Sequence, residues 1–286
     1  MTTGSARVAV VTDSTSCLPA STVNKLGVRV VPLRVMLGHR VAVDDGTDVT
    51  PDDVVRALRD KFAVSTSRPT PAEFASTYRS VLESGAERIV SVHLSAALSG
   101  TWESATLAAQ DFPHGVVRVV DSRSTAMGLG FAVLAAAEAA RAGETAAGVQ
   151  GAATEAVDRT RTLFYVDTLE YLRRGGRIGS AQAFFATSLS VKPLLQMVEG
   201  QIVPLEKVRT SSRAVARLAE LTVAAADDGP IDLAVHHLGV PERAEALLAT
   251  LTTALPSLRS ARVAEIGAVV GAHLGPGVLG TVLVRR

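Results

Sequence analysis

Only one cysteine, Cys17, occurs in the 286 residues, so no intrachain disulfide can form and a cysteine-built metal cluster is excluded. Aromatic residues make up 4% of the chain, too few for a platform on which bases stack. Neither sign of charge prevails: 29 Lys and Arg stand against 28 Asp and Glu, a net charge of +1. That gives no electrostatic footprint for nucleic acid or an anionic membrane surface. No apolar run reaches the ~18 residues of a membrane span. Met1 to Arg7 has no apolar signal core, so a cytoplasmic location is the expectation. Two motifs are also missing: Gly-x-x-x-x-Gly-Lys-Ser/Thr, which cradles a nucleoside triphosphate, and Gly-x-Ser-x-Gly, the nucleophile elbow of hydrolases. What the chain does have is 47% hydrophobic and 20% charged residues, enough to build a sizeable core in one large or two ordinary domains.

Ile89 to Ala105 is the stretch on which the rest leans: Ile-Val-Ser-Val-His-Leu-Ser-Ala-Ala-Leu-Ser-Gly-Thr-Trp-Glu-Ser-Ala. Its first half is apolar and β-branched, as suits a buried strand. Ser95 to Gly100 is a small-residue turn, and from Thr101 the spacing of Trp102, Ala105 and Ala109 is helical. A strand that runs through such a turn into a helix aims hydroxyls, backbone N–H groups and about half a positive charge at one spot. That spot suits an anion.

Two further strands repeat the arrangement. Arg7 to Thr12 ends in Asp13-Ser14-Thr15-Ser16, and Val116 to Val120 ends in Asp121-Ser122-Arg123-Ser124-Thr125. Between them, Val28 to Leu37 is β-rich and turns at Gly38-His39 into Val41 to Val43. Thr50-Pro51-Asp52-Asp53 and Thr70-Pro71-Ala72-Glu73 each begin a helix with a hydroxyl cap, Pro and an early acid. Val54, Val55, Leu58 and Phe62 mark the apolar face of the first. The alternation of strand and helix predicts a parallel sheet with helices on both faces and a ligand site at the carboxyl ends of its strands. The three hydroxyl turns should share that rim, with Thr66 and Ser67 joining from the polar turn Ser65 to Pro69. Any one of them is also what caps and turns ordinarily use. Arg68 and Arg123 are the only cations in these turns, so a singly charged anion, most simply a carboxylate, is the expected guest.

The second half reads as hairpins mixed with helices. Thr162 to Val166, Val191 to Val198, Gln201 to Val208, Ile231 to Leu238, Arg262 to Ile266 and Val278 to Val284 are expected strands, with Glu199-Gly200 as a hairpin turn. Helices are expected over Thr168 to Arg174, Ser180 to Leu189, Ser211 to Ala226 and Glu242 to Leu255. Gly267 to Gly277 is expected to be a glycine-rich loop holding His273. The fold class is therefore α/β: an N-terminal parallel-sheet, Rossmann-like domain over 1–158 and a C-terminal α/β (α+β) domain over 159–286.

Other constellations carry less. His93 lies on the same strand face as Ser95, but that pair has no orienting acid in sequence, and a packed strand histidine is the simpler reading. His236 and His237 face opposite sides of a strand without metal-ligand partners, so no metal is expected. Gly175-Gly176-Arg177-Ile178-Gly179 looks like a fragment of a dinucleotide fingerprint, yet it follows a helix and reads as a helix end. Arg173, Arg174 and Arg177 suit that end electrostatically.

Seven motifs in order resemble the DegV family of bacterial fatty-acid-binding proteins. They are Val11-Thr-Asp-Ser-Thr15, Thr66-Ser-Arg-Pro-Thr70, Leu98-Ser-Gly-Thr-Trp102, Val120-Asp-Ser-Arg123, Thr168-Leu-Glu-Tyr-Leu-Arg-Arg-Gly-Gly-Arg-Ile178, Lys192-Pro-Leu-Leu195 and Gly271-Ala-His-Leu-Gly-Pro-Gly277. The resemblance implies a DegV-like fold and one long-chain fatty acid bound between the two domains. By motif match, Thr66 and Ser95 hydrogen-bond the carboxylate, with Ser67 and His273 close by. It further implies a lipid carrier without catalytic residues, cofactor or metal, which presents the carboxylate to a separate fatty acid kinase for acyl-phosphate formation. Arg177 and Arg209 then lie in the vicinity of the headgroup and the kinase contact. Transient membrane contact is compatible with such a role. Met127, Phe131, Phe184 and Phe185 are candidates for the acyl tunnel. The chain departs from the family pattern at Arg68, where Gln is usual, at Ala96, where a second serine is usual, and at Cys17, where Asp is usual. The alternative reading is a hydrolase or transferase acting on a small anionic metabolite at the same Ser/Thr rim, with His93 or His273 as base.

Overall fold

Val8–Asp13 forms the first strand, β1, in the computed structural model, which describes residues 7–182, 191–226 and 229–286. A 3₁₀ turn over Ser14–Ser16 leads into α1 (Ala20–Leu26) and β2 (Arg29–Val31). β3 (Arg34–Leu37) and β4 (Arg40–Val43) pair antiparallel around Gly38-His39, with Gly38 at φ +60. α2 (Pro51–Arg59) and α3 (Pro71–Glu83) flank β5 (Val64–Ser67). In both helices the threonine cap and the acid three residues on bond reciprocally, Thr50 with Asp53 and Thr70 with Glu73, which satisfies backbone N–H groups that a helix start leaves open. β6 (Arg88–His93), α4 (Thr101–Ala109), β7 (Val117–Asp121), α5 (Met127–Arg141) and α6 (Ala146–Arg159) follow.

Strands β2-β1-β6-β7 form a parallel sheet in that order. Successive residues face opposite sides: Val10 joins α5 and α6 in one apolar layer, and Val11 joins α3 and α4 in the other. α5 is buried on most of its circumference, from Met127 through Ala137. α6, which runs up to the expected division between the domains, buries Val149, Ala153, Ala156 and Val157.

The rest of the chain gives β8 (Thr160–Tyr165), α7 (Glu170–Arg174), β9 (Lys192–Val198), β10 (Gln201–Val208), α8 (Ser211–Ala225), β11 (Ile231–His237), α9 (Pro241–Ala254), β12 (Leu258–Glu265), α10 (Ala268–Leu274) and β13 (Leu279–Arg285). Its mixed sheet runs β10-β9-β8-β13-β11-β12, with β11 and β12 parallel and the other neighbours antiparallel. One apolar layer of Leu163, Leu218, Leu233, Leu247, Leu251 and Leu283 joins this sheet to α8 and α9. Glu199 and Gly200, at φ +47 and +78, make the β9–β10 turn that the sequence predicts.

Two units result: Met1–Leu33 with Ser67–Asp158, and Arg34–Thr66 with Arg159–Arg286. The linear division at 158 and 159 differs from this partition in one segment, Arg34–Thr66. That segment packs with the second unit because α2 lies against α10 and buries Val54, Val55 and Leu58 there. Phe62, expected on the same face, is 60% exposed. The helix ends at Arg59 and Lys61 turns the chain at φ +62, so helical spacing no longer applies. Residues 28–37 form two strands in different sheets rather than one β segment. The helix expected over Ser180 to Leu189, with Phe184 and Phe185, lies largely outside the described residues; Met127 and Phe131 are fully buried.

Candidate functional site

In the first unit, β1, β6 and β7 are adjacent, and their carboxyl-end turns are joined by hydrogen bonds. Three consecutive backbone N–H groups reach three acceptors. Leu94 N–H donates to Asp13 Oδ2 at 3.0 Å, Ser95 N–H to the Ser124 carbonyl at 2.8 Å, and Ala96 N–H to Asp121 Oδ1 at 3.2 Å. Ser95 is fully buried, and its Oγ accepts the Ala97 N–H at 3.2 Å. Ala96, which lacks the hydroxyl usual in the family pattern, therefore contributes through its backbone. Ser67 is the half-buried last residue of β5, so the polar turn expected around Thr66 and Ser67 is in part a strand. Arg68 directs its guanidinium at Glu103, 3.2 Å away. It passes over Gly100, where a Cβ would stand 1.5 Å from Arg68 Nη1.

Beneath this rim lies a polar chain that sequence reasoning missed. Asp13 Oδ2 meets His93 Nδ1 at 3.0 Å, His93 Nε2 meets Ser91 Oγ at 2.6 Å, and Tyr78 OH donates to Ser91 Oγ at 2.9 Å. The orienting acid absent from the local sequence is thus supplied by the neighbouring strand. The serine on His93 is Ser91, not Ser95, and all four side chains are 0% exposed. A nucleophile has to be accessible, and the Ser91 side chain is 0% exposed. Burial raises the Tyr78 phenol well above its usual value, so it stays a neutral donor.

The second unit holds the other candidates. Thr66 Oγ1 and His273 Nε2 are 2.8 Å apart. His273 sits in the last turn of α10, so Gly267 to Gly277 is mostly a helix rather than the expected loop. Three glycines at the ends of α7 and α10 are in close packing. A Cβ on Gly175 would stand 2.1 Å from His273 Nδ1, one on Gly275 would stand 2.0 Å from Tyr171 Cδ2, and one on Gly277 would stand 2.2 Å from Asp167 Oδ2. His273 Nδ1 is buried and has no partner among the described residues. Burial, reinforced by the charge of Arg177, pushes the imidazole pKa down to about 4. The ring is therefore neutral at physiological pH. A cavity of about 420 Å³ opens beside it, lined by Phe62, Thr66, Tyr171, Arg177 and His273 among others.

Arg177 also donates to the Gly175 carbonyl at 2.5 Å. Arg209 is exposed after β10 and does not line this cavity. Arg173 and Arg174 pair with Glu170 at 2.8 and 2.7 Å, the solvated helix end expected. Lys192 pairs with Asp167 at 2.8 Å, which accounts for the lysine of Lys192-Pro-Leu-Leu195. The structure thus brings together Thr66, His273 and Arg177 in one unit, and places Ser67 and Ser95 in the other. Among the described residues no group of three His, Cys, Asp or Glu side chains is arranged to hold a metal, and no helix is long and apolar enough to cross a membrane.

Comparison with known proteins covers nearly the whole chain. The family model described as "Uncharacterised protein, DegV family" matches residues 7–286. A DegV domain-containing protein of Streptomyces coelicolor is 52% identical, with 99% of this chain and 100% of that one covered. A DegV family protein from Thermus thermophilus, whose structure is described as showing fatty acid binding, is 38% identical with a TM-score of 0.92, covering 98% of this chain and 100% of that one. DegV from Bacillus subtilis, described as a fatty acid binding protein, is 30% identical with a TM-score of 0.88, covering 99% and 100%. By sequence along its length and by fold, the chain is a member of the DegV family.

Proposed function

We propose that this protein binds one long-chain fatty acid and has no chemistry of its own, with Ser95 and Thr66 donating hydrogen bonds to the carboxylate and Ser67 and His273 beside them. The observation that carries this reading is the whole-length likeness, at 38% identity, to a Thermus protein described as binding fatty acid. The chemistry of the rim agrees with it. A buried carboxylate needs hydrogen-bond donors or it takes up a proton. Hydroxyls supply such donors, and Arg68 is already engaged by Glu103. Each buried methylene contributes about 0.8 kcal/mol, so a chain of about 16 carbons supplies on the order of 10 kcal/mol before ordering costs. The tail gives affinity and the head gives orientation.

In this reading the protein carries its fatty acid in the cytoplasm and presents the carboxylate to a separate fatty acid kinase, near Arg177 and Arg209. The motif set supports this second step. The test is titration of the unloaded protein with a fatty acid panel, alongside Ser95→Ala and Thr66→Val. Binding of one equivalent that weakens in both variants supports the reading, and undiminished binding in both removes these residues from the site. Adding a fatty acid kinase and ATP should give an acyl phosphate, trapped as its hydroxamate, only from the loaded protein.

A further inference from the structure

The buried chain Asp13–His93–Ser91–Tyr78 has the order of a catalytic triad but no route to a substrate. We propose instead that Asp13 is the positioning residue of the rim: it fixes the backbone that aims Ser95 at the ligand carboxylate. The proposal rests on the carboxylate reading given above and adds a residue to it.

Asp13 is 0% exposed, and a buried carboxylate is costly unless its oxygens are occupied. Both are. Oδ1 accepts Thr15 N–H at 3.0 Å and Thr15 Oγ1–H at 2.6 Å; Oδ2 accepts Leu94 N–H and His93 Nδ1–H, each at 3.0 Å. A carboxylate accepts only, so His93 Nδ1 carries a proton, and in that tautomer Nε2 is an acceptor. Ser91 therefore donates to Nε2, and Tyr78 donates to Ser91. Every group in the chain has one direction, and the direction ends at Asp13. The carboxylate thereby ties the β1 turn to Leu94, the residue immediately before Ser95. The β7 turn holds the next two N–H groups through Ser124 and Asp121. Ser95 is thus gripped from both neighbouring strands, and Asp13 is the grip on the β1 side. Packing alone does not call for a charge at this position; a fixed direction for the Leu94 N–H does.

The test compares the affinity of palmitate with that of methyl palmitate, whose tail is the same but whose head carries no charge. A merely structural role lowers both affinities together and leaves their ratio unchanged. Asp13→Asn, which puts a donor against donors, should reduce the ratio about tenfold. His93 gives a second arm. His93→Asn keeps a donor where Nδ1 stands and should retain the ratio, whereas His93→Gln moves its amide towards the Nε2 position and should lose it. If Asp13→Asn does not fold, the contrast between the two His93 variants decides. An unchanged ratio in folded Asp13→Asn, or equal ratios in the His93 pair, overturns the proposal. If Ser95→Ala lowers the ratio while these variants do not, only the positioning role fails. If the wild-type protein shows no preference for the acid, the carboxylate reading itself fails.

Discussion

Gly175→Ala should destabilise the protein even though its backbone tolerates alanine. Gly175 caps α7 at φ −75, an ordinary helical value. At such a position the change normally stabilises by about 0.4–1 kcal/mol, because the unfolded chain loses freedom. Here the added Cβ would stand 2.1 Å from His273 Nδ1 and 2.8 Å from Cε1. The ring has to move, and its 2.8 Å contact with Thr66 breaks. Overpacking of this kind costs about 1–3 kcal/mol, and a lost neutral hydrogen bond about 1 kcal/mol. The net expectation is a loss of about 2 kcal/mol, or about 5 °C in the melting temperature of a chain this size. Gly176→Ala is the comparison. Gly176 sits at φ +70 with no heavy atom within 4 Å of an added Cβ, so its cost is the left-handed backbone alone, about 1 kcal/mol. Urea unfolding of both variants, with the His273 imidazole resonance followed by NMR, separates the two causes. His273 should shift in Gly175→Ala and stay in place in Gly176→Ala. A Gly175→Ala protein as stable as wild type, with an unmoved His273 signal, refutes the packing argument.

Three further outcomes follow from the buried titratable groups. Burial pushes the pKa of His236 down to about 4, as burial and Arg177 do for His273, from an ordinary 6.5. Between those values the unfolded chain binds protons that the folded chain does not. Stability should therefore fall as pH drops from 6.5 towards 4, by up to about 1.4 kcal/mol per pH unit for each ring. Urea midpoints at several pH values measure this, and His273→Gln should flatten the slope. Arg177→Ala removes a charge that disfavours imidazolium, so the NMR titration of His273 should move to higher pH. Asp232 is 2% exposed, with Arg259 and Arg286 at 2.7 and 2.6 Å. Burial alone would raise its pKa, but the hydrogen bonds from Arg259, Ser260 and Arg286 outweigh it and hold the carboxyl at about 2. Asp232→Asn should cost about 2 kcal/mol at neutral pH. The difference from wild type should shrink only as pH falls below the ordinary carboxylate range towards 2.

Local signals were legible in the sequence where they act locally. Thr50 with Asp53 and Thr70 with Glu73 mark helix starts because the bonds they make span three residues. The Ser/Thr turns after β1, β6 and β7 do share one rim, since short parallel strands followed by helices leave few other arrangements. Other features depend on partners distant in sequence. Asp13 and His93 are 80 residues apart and meet only because β1 and β6 are neighbours. Residues 268–274 read as a loop because of the glycines around them, yet Gly175, Gly275 and Gly277 are needed for contact with His273, Tyr171 and Asp167 rather than for flexibility. Arg34–Thr66 follows the second unit because α10, more than 200 residues later, covers α2. Nothing within the segment announces that contact.

The central claim, that the protein carries a fatty acid, is tested most directly by native mass spectrometry of the purified protein, followed by organic extraction. One added mass equal to a single long-chain fatty acid, recovered as the free acid and diminished in Ser95→Ala, is the predicted result. A protein that is empty as isolated, and remains empty after incubation with saturated and unsaturated fatty acids, contradicts the account.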